Sequence, residues 1–122
     1  MSARIINITI DCDDALAVAR FWSQVLGRPL DQGSSAGFAS IGGGDPERVE
    51  AAWYFEKVPE RKVAKNRMHV DLVDPDPAAV QRLVELGASI VGEHEFGASH
   101  RWTVLRDPEG NEFCVAEKSF TG

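Results

Sequence analysis

A histidine and an aspartate stand two residues apart in RMHVDLV, as His69 and Asp71. In an extended strand residues i and i+2 share a face, so both side chains point the same way. That pairing suits an imidazole that binds a ligand or passes a proton. Glu56, in EAAWYFEK, has the chemistry of a general base. The alternation of INITID puts Asn7, Thr9 and Asp11 on one face of a strand and Ile6, Ile8 and Ile10 on the other. In NEFCVAE the same period sets Glu112, Cys114 and Ala116 against Phe113 and Val115. No basic residue near Cys114 in sequence would activate it, so it reads as a small buried filler rather than a nucleophile. Brought together, these polar faces would line one cleft, with Trp102, Trp53, Tyr54 and Phe96 as aromatic walls. A few polar groups between aromatic walls are the usual make-up of a small-molecule site.

The elements that must carry these residues come twice. A strand at 4–11 is followed by a helix from an Asp13 or Asp14 cap through about Leu26, closed by Gly27. Short strands are expected around 28–32, 36–41 and 50–57. After the basic connector KVPERKVAKNR the order restarts. RMHVDLV is a strand, Asp76 and Pro77 open a helix that Gly87 ends, and ASIVGEHEF, HRWTVLR and NEFCVAE are strands. Asn7 and His69, Arg20 and Arg82, and the two DPE triplets at 45–47 and 107–109 each lie 62 positions apart. The chain is therefore expected to be α+β, one domain of two tandem βαβββ modules at about 4–57 and 67–118, joined by a connector at about 58–66. The modules would form a curved mixed sheet around a cleft, with the helices outside. A single module could not bury its sheet against one helix; two could.

Several suggestive stretches have plain structural readings. DPEG suits a turn that fixes the register of NEFCVAE. The glycines of IGGGD do not open a helix after a strand, so they read as a hairpin tip rather than a phosphate cradle. Lys57, Arg61, Lys62, Lys65 and Arg67 form a solvated linker, and GEHEFGASH, with His94 and His100, reads as a mobile loop over the cleft. With a formal charge of −6 the chain lacks the basic face that nucleic acid requires. No run nears the ~20 apolar residues that span a bilayer, and no secretory signal opens the sequence. Cys12 and Cys114 have no metal-like spacing. Reduced thiols in the cytoplasm are the expected setting.

ITIDCDDALAVARFWSQVLG, VPERKVAKNRMHVDLVDPD and WTVLRDPEGNEFCVAEK together resemble the vicinal oxygen chelate superfamily, the glyoxalases, bleomycin-resistance proteins and extradiol dioxygenases, and within it the small glyoxalase-like proteins of bacteria. The likeness spans nearly the whole chain. It implies four inward side chains, one from the first and one from the last strand of each module, that hold a divalent metal in the metal-using members. They fall on Asn7, Glu56, His69 and Cys114. Only Glu56 and His69 are conventional donors for a hard or borderline metal with open positions. No cofactor is therefore expected. The resemblance implies a metal-independent protein that binds an organic molecule, aromatic or toxic, through Asn7, Glu56, His69, Asp71, Trp102 and Cys114. The alternative is a metal-dependent glyoxalase-like lyase, isomerase or dioxygenase using Glu56 and His69, and a third reading is an accessory subunit. Family members commonly pair their modules, so a homodimer is expected.

Overall fold

The computed structural model describes residues 2–96 and 100–116. The fold is α+β, with two helices and two mixed sheets that do not close into a barrel. The chain divides into two compact units, Met1–Arg61 and Lys62–Gly122.

The N-terminal unit holds β1 (Asn7–Cys12), α1 (Ala15–Leu26), β2 (Phe38–Ile41) and β3 (Ala52–Lys57), in sheet order β1-β3-β2. β1 runs parallel to β3, and β2 antiparallel to it. α1 starts where its sequence dictates: Asp14 is extended at the N-cap and its carboxylate accepts from the Ala17 N–H at 3.2 Å. Gly27 ends it in the left-handed region at φ 65°, where any side chain would be strained. The buried stripe of α1 includes Val18, Ala19, Phe21 and Trp22. Trp22 meets Trp53 of β3 at 4.9 Å between ring centroids, and Trp53 meets Phe55 at 6.4 Å. Trp53 is thus a core residue beneath the helix and not a wall of a site. The strand expected around 28–32 is only a single bridge, Leu30 to Ile41. Pro29 cannot donate to a ladder, and Asp31 turns its carboxylate back onto the β2 hairpin. Asp14→Ala should lower stability by about 1 kcal/mol in chemical denaturation, the usual loss for an N-cap carboxylate.

The C-terminal unit holds β4 (Asp71–Val73), α2 (Ala79–Leu86), β5 (Ser89–Phe96), β6 (His100–Arg106) and β7 (Glu112–Ala116), in order β4-β7-β6-β5. β4 and β7 are parallel and the other pairs antiparallel. A parallel pair at one edge of the sheet, β1·β3 or β4·β7, recurs in both units, so the repeat in the sequence is a repeat of topology. α2 starts two residues later than Asp76 and Pro77 suggest. Asp76 instead caps the preceding turn, accepting from the Ala78 N–H at 2.9 Å, and no side chain caps α2 itself. Ala79, Leu83, Leu105, Phe113 and Val115 are buried in this unit. The DPEG turn is structural: the Gly110 N–H donates to the Asp107 carbonyl, and the buried Asp107 carboxylate accepts from the N–H groups of Glu109 and Asn111, each at 2.9 Å. Asp45 accepts from the Glu47 N–H in the same way in the first DPE. No helix is long and apolar enough to cross a membrane among the described residues.

Candidate ligand-binding face

The face of the C-terminal sheet opposite Leu72, Phe113 and Val115 collects most of the chemistry read from the sequence. Register pairs Asp71 with Cys114 and Cys114 with Val104; one step along, Ala116 lies opposite Trp102 and Trp102 opposite His94. His69 lies just before β4. Its Nδ1 is 3.1 Å from Asp71 Oδ1, both groups partly exposed. Cys114 is buried, and its thiol donates to the Asp71 carboxylate. Burial pushes the Cys114 thiol above its ordinary pKa, and the charge and hydrogen bond of Asp71 push it the same way. So Cys114 is a neutral hydrogen-bond donor that helps seat Asp71, and Asp71 in turn seats His69. The donor atoms of His69, Asp71 and Cys114 lie within 4.8 Å of one another.

Trp102 is half-buried and stacks with His94 across the β5–β6 hairpin, ring centroids 5.6 Å apart and 22° between planes. The sequence reads this stretch two ways, ASIVGEHEF as a strand and GEHEFGASH as a loop over the cleft; the backbone is strand through Phe96, because cross-strand pairing reaches from Ser89 to Phe96. Residues 97–99 of that segment lie outside the described residues.

Glu112 was legible only as one more polar residue on this face. It is 6% exposed, and it clamps the connector to β7. The Asn66 N–H donates to Oε1 at 2.9 Å, Lys62 Nζ lies 3.0 Å from Oε1, and Arg106 Nε lies 3.7 Å from Oε2. Burial alone would raise this carboxyl; the Asn66 N–H and the Lys62 ammonium outweigh it and hold the pKa at about 2. The signal in the sequence was a basic connector lying, by topology, beside a carboxylate. Lys62 is therefore a tie and not part of a solvated run.

In the N-terminal unit the sheet face away from Trp53 and Phe55 carries Asn7, Thr9 and Asp11 beside Ala52, Tyr54 and Glu56. Asn7 Oδ1 accepts from Arg48 Nη2 at 3.1 Å. Glu56 is exposed, at the level of Asp11. Tyr54 pairs with Thr9 as Cys114 pairs with Asp71, so register puts Tyr54 at the step that Cys114 occupies and Glu56 two residues further on. Tyr54 packs edge-on against Phe38 at 5.6 Å. The IGGGD amides do cradle an anion, but it belongs to the chain: Asp31 Oδ2 accepts from Gly43 N–H at 2.7 Å and Ser40 Oγ at 2.6 Å, and Oδ1 from Gly42 N–H at 3.2 Å. Burial works against the charged form of Asp31, and these donors more than offset it, so its pKa lies below the usual carboxylate value.

Cys12 and Cys114 are both buried. Neither should react with a water-soluble disulfide reagent at pH 8 within the time that releases all thiols in denaturant. Rapid labelling of one thiol in the folded protein would contradict the neutral-donor role of Cys114.

A sequence profile of the glyoxalase-like domain matches residues 7–116, and the chain belongs to that family. No curated protein sequence matches it significantly. Among solved structures it is similar to a glyoxalase/bleomycin resistance protein/dioxygenase family enzyme from Burkholderia phytofirmans, with TM-score 0.69, 19% identity, and 93% of this chain and 98% of that one covered. It is also similar to the fosfomycin resistance protein FosX from Mesorhizobium loti, with TM-score 0.70, 14% identity, and 99% and 97% covered. A lactoylglutathione lyase from Agrobacterium tumefaciens aligns with TM-score 0.61, 16% identity, and 95% and 94% covered. At these identities the likeness is one of fold, and fold does not fix function.

Proposed function

We propose that this protein binds a small organic molecule on the polar face of its C-terminal sheet without the help of a metal. One observation carries the reading: Asp71, the carboxylate beside His69, is already engaged by His69 Nδ1 and the Cys114 thiol. A metal of the kind this fold can hold needs carboxylate and imidazole donors free to point at one centre. Here His69 keeps one uncommitted ring nitrogen, Asp71 is taken, and a buried thiol stands where a carboxylate donor is expected. Of the positions in the N-terminal unit, Asn7 gives its oxygen to Arg48 and the step matching Cys114 is a tyrosine. That donor set does not fit the metal of the metal-using relatives.

The rival reading, a metal-dependent lyase or isomerase, is favoured by the closeness of the His69, Asp71 and Cys114 donors. A thermal-shift screen of small organic molecules, run with and without EDTA, separates the two. This account expects hits whose shift is unchanged by the chelator and reduced in His69→Ala. Hits that vanish with EDTA and return with zinc, nickel or manganese would support the rival.

A further inference from the structure

The layout of this face fixes the kind of molecule it would take, and the inference rests on the metal-free reading above. His69 Nδ1 faces Asp71; with the ring's proton on that nitrogen, Nε2 presents a lone pair. That end of the face accepts a hydrogen bond. It does not welcome a carboxylate, because Asp71 already puts a negative charge beside the ring. At the other end Trp102 and His94 offer a flat aromatic stack outside the core, with His94 exposed. Between the two ends, register places Val73, Val104, Cys114 and Ala116 on this face, all uncharged, with the Lys65 ammonium close enough to act on the Cys114 thiol.

The span follows from strand geometry. Trp102 is level with Ala116 and Val73, four residues along the sheet from His69 and two strands across. Four residues are about 13 Å and two strand spacings about 10 Å, so the two Cα atoms lie roughly 16 Å apart. A single ring does not bridge that distance; two or three fused or linked flat rings do.

We infer that the ligand is a planar two- or three-ring aromatic carrying a neutral hydroxyl or N–H donor at one end, its rings stacked on Trp102 and its donor on His69 Nε2. The probes are 7-hydroxyflavone, flavone without the hydroxyl, and 2-naphthoate, titrated by calorimetry in EDTA. The hydroxyl should strengthen binding about tenfold, the scale of one net hydrogen bond. His69→Ala, a partly exposed position, should erase the difference between the two flavones. Trp102→Leu, its fold checked by a two-dimensional NMR spectrum, should weaken both about three- to tenfold, the scale of one aromatic pair. The naphthoate should bind more weakly than 7-hydroxyflavone. Equal affinity for the two flavones, a hydroxyl preference that survives His69→Ala, or indifference to Trp102→Leu would overturn the inference. If the flavones fail while other screened molecules bind in EDTA, the ligand class is wrong and the metal-free reading stands. If nothing binds until a metal is added, the metal-free reading itself has failed.

Discussion

Glu112→Gln should cost this protein about 3 kcal/mol of stability at pH 7, measured by urea denaturation. The carboxylate is almost fully buried, and the Lys62 ammonium and the Asn66 N–H both point at it. Removing one partner of a buried pair leaves the other desolvated and unpaired, which typically costs 3–5 kcal/mol, and the partial exposure of Lys62 puts this case at about the low end. The same residue sets an acid limb. Its folded pKa, held at about 2, lies below the value of 4.5 for a free glutamate. The stability it adds is therefore complete above about pH 4.5 and is lost as pH falls through the folded value near 2. Wild type should lose stability steeply across that window, and Glu112→Gln should be flatter there. Parallel acid limbs in the two proteins would show that the clamp at β7 is not formed. Because Glu112 ties down Asn66, three residues before His69, the variant should also blunt any ligand response that depends on His69.

Trp22→Ala should be the most damaging single change in the N-terminal unit, about 3–5 kcal/mol, the usual cost of emptying a buried aromatic site. Trp22 is 1% exposed and packs against Phe21 at 5.3 Å and Trp53 at 4.9 Å. The Phe21 and Trp53 rings facing that void cannot close it by small shifts, since aromatic side chains move as rigid plates. Trp22→Phe keeps most of the volume and should cost less than half as much. If alanine and phenylalanine prove equally mild, this aromatic cluster is not the centre of the N-terminal core.

Much of the fold was legible because its signals are local. The alternation of NITID, the Asp14 cap, Gly27 and the doubled DPE each act within a few residues, and each stands where its pattern puts it. What failed was longer in range. Pro29 and the pull of Asp31 on the glycine hairpin erased a strand that its composition suggested. Trp53 looked like a site wall because period 2 separates the two faces of a strand but does not say which face the helix covers. His94 falls both in the strand read from ASIVGEHEF and in the loop read from GEHEFGASH, and pairing with β6 decides for the strand.

The candidate site was legible in part for the same reason. His69 stands two residues before Asp71, the first residue of β4, so their meeting could be read directly from the sequence. That Cys114 donates to Asp71, or that Glu112 holds the connector, depends on which strands pair and in what register. Those are long-range facts that spacing alone does not carry. Tyr54 is a further case: the parallel register of β1 with β3, matched against β4 with β7, puts it at the step of Cys114, while the family resemblance falls on Glu56 two residues further along.

The central claim is that the His69, Asp71 and Cys114 cluster works as a hydrogen-bonded set and not as a metal site. Elemental analysis tests it most directly, on protein purified without a metal-binding tag and again after loading with zinc, nickel, manganese or iron followed by gel filtration. The account predicts far less than one equivalent of any metal, with no difference between wild type and His69→Ala. A stoichiometric metal that is retained by wild type and lost in His69→Ala would contradict it.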